Sequence, residues 1–150
     1  MFISIKRWAL SENSLRTSVP NFESDSQRPC PCILQDCVFD KRKDDTVLRV
    51  VYQGNIRLGS CGGCCKRWFI TFNGAECSGP LPIDVVIWIR NKDEDNNRPG
   101  AIEGYCDNIH KGNIRVGINI GNCPGYGNSH GETGWNSVSR LIIEEVPRSQ

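Results

Sequence analysis

The most regular stretch of the chain is NIRVGINI, Asn113 to Ile120. Ile114, Val116, Ile118 and Ile120 point one way, and Asn113, Arg115, Gly117 and Asn119 the other. A period of two is the mark of a half-buried β-strand. RWFITFN repeats it, with Trp68, Ile70 and Phe72 on one face and Arg67, Phe69 and Thr71 on the other. IDVVIWIR carries Ile83, Val85, Ile87 and Ile89 on one face, and TVLRVVY (Thr46 to Tyr52) is β-branched and apolar. Turn signals separate these runs. QGN (Gln53 to Asn55) predicts a hairpin turn into IRL, Asn73-Gly74 turns the chain, and GPLP (Gly79 to Pro82) sets an extended entry into the next strand. Structure is predicted to begin near CPCILQDCVFD (Cys30 to Asp40) and to close with WNSVSRLIIEEV (Trp135 to Val146). NKDEDNNRPG (Asn91 to Gly100) reads as a polar loop, and GNCPGYGNSHGETG as a long Gly-rich one. Seven or eight strands joined by turn-rich links predict an all-β jelly-roll sandwich.

Composition agrees. With 150 residues the chain fits one domain, and glycine is frequent while methionine occurs once. Residues 1–29 read as a disordered N-terminal arm or linker, because 11–29 are polar, serine-rich and aperiodic; the globular domain is placed at 30–148. The formal charge is +1, so no field of one sign favours nucleic acid or an acidic membrane surface. No apolar run approaches the roughly 20 residues of a membrane helix. There is neither a Gly-X-Y repeat nor a heptad pattern.

Nine cysteines point to an oxidising compartment. MFISIKRWAL, in contrast, lacks the apolar core of a secretion signal, because Lys6 and Arg7 interrupt it. The cysteines take precedence, and the chain is expected to be a fragment or to leave the cell by another route.

The densest cysteine cluster is SCGGCCKRW, Ser60 to Trp68. A structural zinc site wants a second ligand pair beside Cys61 and Cys64, and Cys77, Cys106, Cys123, His110 and His130 stand alone. A thioredoxin-like C-x-x-C sits at a helix N-terminus, whereas this cluster precedes an alternating strand. Disulfide anchoring is the remaining reading. Cys64 and Cys65 are adjacent, with Cα atoms about 3.8 Å apart, which is too close for an ordinary bridge. They are therefore expected to reach separate partners. An odd cysteine count leaves at least one thiol free or interchain, and Cys30 and Cys32, next to the arm, are the candidates.

CCKRWFITFNGAECSGPLPIDVVIWI (Cys64 to Ile89), LQDCVFDK (Leu34 to Lys41) and GETGWNSVSRLIIEEVP (Gly131 to Pro147) resemble the C-terminal globular domain of the collagen triple helix repeat-containing proteins. The similarity runs over about residues 33–147. It implies a disulfide-stabilised jelly roll like the complement and tumour-necrosis-factor globular heads. It also implies a secreted, non-enzymatic extracellular-matrix or signalling protein that acts by protein–protein association. Family roles to be expected are control of collagen deposition, cell migration and non-canonical Wnt signalling through Frizzled-type receptor complexes. A homotrimer is the implied assembly, and no cofactor is implied. Cys37, Cys64, Cys65, Cys77, Cys106 and Cys123 fall where the family has cysteines, and these with Cys61 are the disulfide candidates. The family cysteine before the Cys-Cys pair lies one residue earlier, where this chain has Ser60. No N-x-S/T sequon occurs.

Other chemistry is thin. His110 and His130 read as solvated loop histidines, with no catalytic Cys-His arrangement. Asp93 to Asn96 lack EF-hand spacing, and the Gly-rich loop lacks a phosphate cradle. The alternative function is a lectin-like, carbohydrate- or calcium-binding sandwich using the Gly125 to Trp135 loop. Phe69 and Trp88 lie opposite the most regular apolar faces, so they are candidates for an interface between subunits.

Overall fold

The computed structural model describes residues 5–9, 32–59, 61–134 and 137–148; at 5–9, 32–35 and 96 it describes the backbone alone. The described residues form ten strands and no helix. In chain order these are β1 (Ile5–Ala9), β2 (Cys32–Lys41), β3 (Thr46–Gly59), β4 (Cys64–Phe72), β5 (Ala75–Glu76), β6 (Asp84–Ile89), β7 (Asp95–Cys106), β8 (Gly112–Asn122), β9 (Gly131–Thr133) and β10 (Arg140–Pro147).

One sheet has the order β1-β10-β3-β7, with β9 added to β3. The other runs β2-β8-β4-β5, with β6 also on β4. Every pairing is antiparallel. The chain changes sheet from β1 to β2, from β2 to β3 and from β3 to β4, and the last long strands return between the first ones. The all-β, two-sheet arrangement is sandwich-like, as the expected jelly roll requires, with ten strands where seven or eight were expected.

The faces follow the alternation. Trp68, Ile70 and Phe72 of β4 and Ile114, Val116, Ile118 and Ile120 of β8 enter one core. Leu48, Val50, Tyr52, Ile56 and Leu58 of β3, with Leu141 and Ile143 of β10, meet them from the opposite sheet. Phe39, Trp68, Leu48 and Ile143 are fully buried. Each such side chain contributes about 1.5–3 kcal/mol through the area withdrawn from water. Tyr52 carries its hydroxyl into the core and hydrogen-bonds Ser139 Oγ at 3.1 Å, which satisfies its polar tip.

Four expectations change. Gln53–Asn55 do not turn: β3 continues through them for 14 residues. Its partner β7 supplies backbone pairs along that whole stretch, with Gln53 opposite Ala101 and Asn55 opposite Pro99. Long-range pairing there outweighs the local turn preference. For the same reason the loop expected over 91–100 is a strand from Asp95 onward. The final strand begins at Arg140 rather than Trp135; Gly131–Thr133 pair separately with β3, and Trp135 lies outside the described residues. Ile5–Ala9, assigned to the arm, pair with β10, Ile5 opposite Glu144 and Ala9 opposite Arg140.

Candidate functional site

The antiparallel register collects the chemistry-bearing residues at one end of the sandwich. β3 ends at Gly59 opposite Asp95, β4 starts at Cys64 opposite Ile89, and Lys66 lies opposite Asn122 near the end of β8. The loops 59–64, 89–95 and 122–131 therefore share this end.

Among the described residues there are three disulfides. Cys61 pairs with Cys64, Cys65 with Cys123, and Cys77 with Cys106. The two adjacent cysteines do take separate partners, because consecutive strand residues face opposite sides of the sheet. Cys64 joins the core cluster, and Cys65 lies on the other face, opposite Trp88 in register. Cys65–Cys123 reinforces the β4–β8 pair inside one sheet. Cys77–Cys106 links the segment after β5 to the end of β7, and so joins the two sheets at the far end.

Cys37 differs from its expectation as a disulfide cysteine. It is a free thiol on β2, buried opposite Val116. Burial and the neighbouring Asp36 carboxylate push this thiol up from its ordinary range, so it stays protonated. The side chain of Cys32 and the whole of Cys30 lie outside the described residues.

Phe69 is not exposed: only 6% of it reaches solvent. Arg67 stacks its guanidinium over the ring, 4.7 Å from the centroid. Gly121 on β8 leaves room beside it, since a Cβ there would lie 3.3 Å from the ring edge. Trp88 is the reverse case, with 51% of its surface exposed, and Val86 two residues before it is 50% exposed. Both point outward from β6, which among the described residues pairs with β4 alone and forms an edge of its sheet. Gly121 in GINIG was the available signal: a glycine on the outer face of β8 leaves space for an aromatic from β4.

Charge at the cysteine end is organised by Arg57. It grips Asp95 through two hydrogen bonds of 2.9 and 2.7 Å and reaches Glu132 at 3.0 Å. His130 Nε2 meets Glu132 at 2.5 Å. Hydrogen bonding from Arg57 holds Asp95 below the usual carboxylate range; Glu132 is held low first by His130 and then by Arg57. Neither residue type nor spacing marked Arg57 in advance, because its partners come from β7 and β9. Lys66 is buried and donates to Asn122 Oδ1 at 2.6 Å and Asn128 Oδ1 at 3.0 Å, fastening the Gly-rich loop. Among the described residues, no group of three or more His, Cys, Asp or Glu side chains is placed to hold a metal ion. No described helix is long and apolar enough to cross a membrane. An open groove lies elsewhere, floored by Gln53, Asn55, Pro99 and Ala101 and rimmed by Val138 and Arg140.

No solved structure matches the chain. A model of the CTHRC1 C-terminal domain matches residues 16–143, which is most of its length. That match covers Leu34 to Lys41, Cys64 to Ile89 and, of the third string that resembled the collagen triple helix repeat-containing proteins, Gly131 to Ile143, and the chain belongs to this CTHRC1 C-terminal domain family.

Proposed function

We propose that the domain is a non-enzymatic, secreted protein-association module of the extracellular matrix, which self-associates as a homotrimer through its β6 edge. The observation carrying this reading is the pair Val86 and Trp88, half exposed on the same face of an edge strand. Leu81, just before β6, and Tyr105, on the edge strand β7, are exposed as well. Tryptophan is enriched among the few residues that dominate protein interfaces, where truncating one costs about 2 kcal/mol or more. Three disulfides suit an oxidising compartment, which supports an extracellular location. Control of collagen deposition, cell migration and Wnt signalling through Frizzled-type receptor complexes are the roles proposed for the assembled form.

The test is mass by light scattering across a concentration series, for the wild type and for Trp88→Glu. The expected result is a trimer that the substitution converts to a monomer while the far-ultraviolet spectrum stays the same. A wild type that is monomeric throughout, or a Trp88→Glu variant that remains trimeric, would remove β6 as the association edge.

A further inference from the structure

The three disulfides differ in what surrounds their sulfurs. Cys65, Cys123, Cys77 and Cys106 are all nearly inaccessible, at 4, 7, 3 and 1% exposure. Cys61 is partly exposed, and the two residues that follow it are exposed glycines with no side chain to shield it. Its partner Cys64 faces the core at 7% exposure. Cys61 also packs against the core, so among the three bridges it is the one cysteine with part of its surface in solvent.

We propose that Cys61–Cys64 is a thiol–disulfide exchange site for an external dithiol, opened and closed within the folded domain while the other two bridges remain intact. A thiolate of the dithiol attacks Cys61 Sγ. A mixed disulfide forms there, the Cys61–Cys64 bond breaks, and Cys64 leaves as a thiolate that takes a proton from water. The second thiolate of the dithiol then attacks its own sulfur in the mixed disulfide and releases Cys61, which is protonated in turn. The domain gains two electrons and two protons, and the dithiol is oxidised to its cyclic disulfide.

Three features confine the reaction to this bridge. The bridge closes only the short segment Cys61 to Cys64, so opening it frees little chain. β4 does not depend on it, because Cys64 pairs with Ile89 on β6 and the strand pairs with β8 from Lys66 onward. The Cys64 thiolate also emerges on the core side of the sheet, away from Cys65–Cys123 on the other face. Exchange therefore does not pass along the Cys-Cys pair. What opens is residues 61–63, which dock on the β6–β7 loop by the Gly63 N–H donating to Arg90 O at 3.1 Å, with Gly62 against the stem of Lys92. No helix follows the pair to acidify a thiol, so the site is a substrate for exchange rather than an oxidoreductase centre.

The experiment is a brief exposure of the folded chain to limiting dithiothreitol, followed by alkylation and peptide mapping. Cys61 and Cys64 should be labelled on the order of tenfold faster, or more, than Cys65, Cys77, Cys106 and Cys123. Cys37, buried and free, reports opening of the core and should gain no label. Simultaneous reduction of all three bridges, or Cys37 labelling in step with Cys61, would overturn the proposal. Trapping with glutathione should place the adduct on Cys61, and an adduct on Cys64 would refute the direction of attack. A Cys61→Ser, Cys64→Ser double variant should keep the slow reduction of the other two bridges and lose the fast phase. A fast phase that survives would assign it elsewhere and end the proposal.

Discussion

The two ends of the sandwich are each tied by a long-range disulfide, yet they are finished differently. At the far end, Cys77–Cys106 joins the sheets and the turn between β2 and β3 is held by backbone groups. Glu145 on β10 accepts hydrogen bonds from the Arg42 N–H at 3.0 Å, the Lys43 N–H at 2.9 Å and the Thr46 hydroxyl at 2.5 Å. Lys41, almost fully buried, donates to Thr46 Oγ1 at 2.9 Å in the same turn. At the cysteine end, the corresponding contacts are side chain to side chain: Arg57 with Asp95 and Glu132, and Lys66 with Asn122 and Asn128. A carboxylate that accepts backbone N–H groups fixes the path of the chain. An exposed ion pair fixes only two side chains, at little net gain. The same end holds the short bridge Cys61–Cys64.

Removing the bridges gives the largest effects and grades the contrast. In the chain-entropy model the cost rises with the loop that is closed. Cys65 and Cys123 are 58 positions apart, and replacing both by alanine should cost about 4 kcal/mol. Cys77 and Cys106 are 29 apart, and the same replacement should cost about 3.5 kcal/mol. Cys61 and Cys64 are 3 apart, and their loss should cost about 2 kcal/mol or less. Urea unfolding of the three double variants checks the order. If the short bridge proved as costly as either long one, the division into structural and exchangeable disulfides would be lost.

A packing substitution comes next. Gly131 on β9 sits where a Cβ would lie 2.6 Å from Ile120 Cδ1, 3.2 Å from Lys66 Cγ and 3.3 Å from the Trp68 ring. Only Ile120 Cδ1 is the end of a side chain; Lys66 Cγ is mid-stem in a buried side chain whose Nζ is held by Asn122 and Asn128, and the indole is fully buried. Gly131→Ala should cost about 1–2 kcal/mol by overpacking. An unchanged urea midpoint would mean that β9 lifts away freely and that the cysteine end is looser than its pairing with β3 suggests.

The smallest effects separate the two kinds of carboxylate. Burial works against ionisation of Glu145, yet the Thr46 hydroxyl and the Arg42 and Lys43 N–H groups together hold its carboxyl below the ordinary range. A depressed carboxylate pKa stabilises the fold above the unfolded value, about 4.3, and that stability fades as pH falls through the folded value. Glu145→Gln should therefore lose roughly 1 kcal/mol at neutral pH and show a flatter acid dependence than the wild type. Asp95→Asn, at an exposed ion pair, should leave the melting temperature unchanged within error at moderate salt. Equal losses in the two variants would erase the distinction between the ends.

Much of the architecture was legible in the chain. The alternations in NIRVGINI and RWFITFN placed seven core side chains on their correct faces, because a half-buried strand has only one period. Local signals failed where tertiary pairing decided. Gln53-Gly54-Asn55 has turn composition, but β7 runs beside it throughout. Phe69 looked exposed from strand polarity alone and is covered by Arg67 from its own strand, with space provided by Gly121 on β8. Cys37 was a disulfide candidate by sequence, yet its thiol is buried and free, and no spacing rule distinguishes these outcomes.

The sequence by itself determined the all-β class, the inward faces of the central strands, the family, and the separate fates of Cys64 and Cys65. These follow from local periodicity, from adjacency and from long diagnostic strings. Only the tertiary structure decided that Cys61 closes on Cys64, that Cys65 reaches Cys123, and that Arg57 gathers Asp95, Glu132 and through it His130. Cys61–Cys64 and His130–Glu132 are close in sequence, but Cys65–Cys123 and the partners of Arg57 come from segments far apart in the chain, and it is the antiparallel register within the two sheets that brings those within bonding distance.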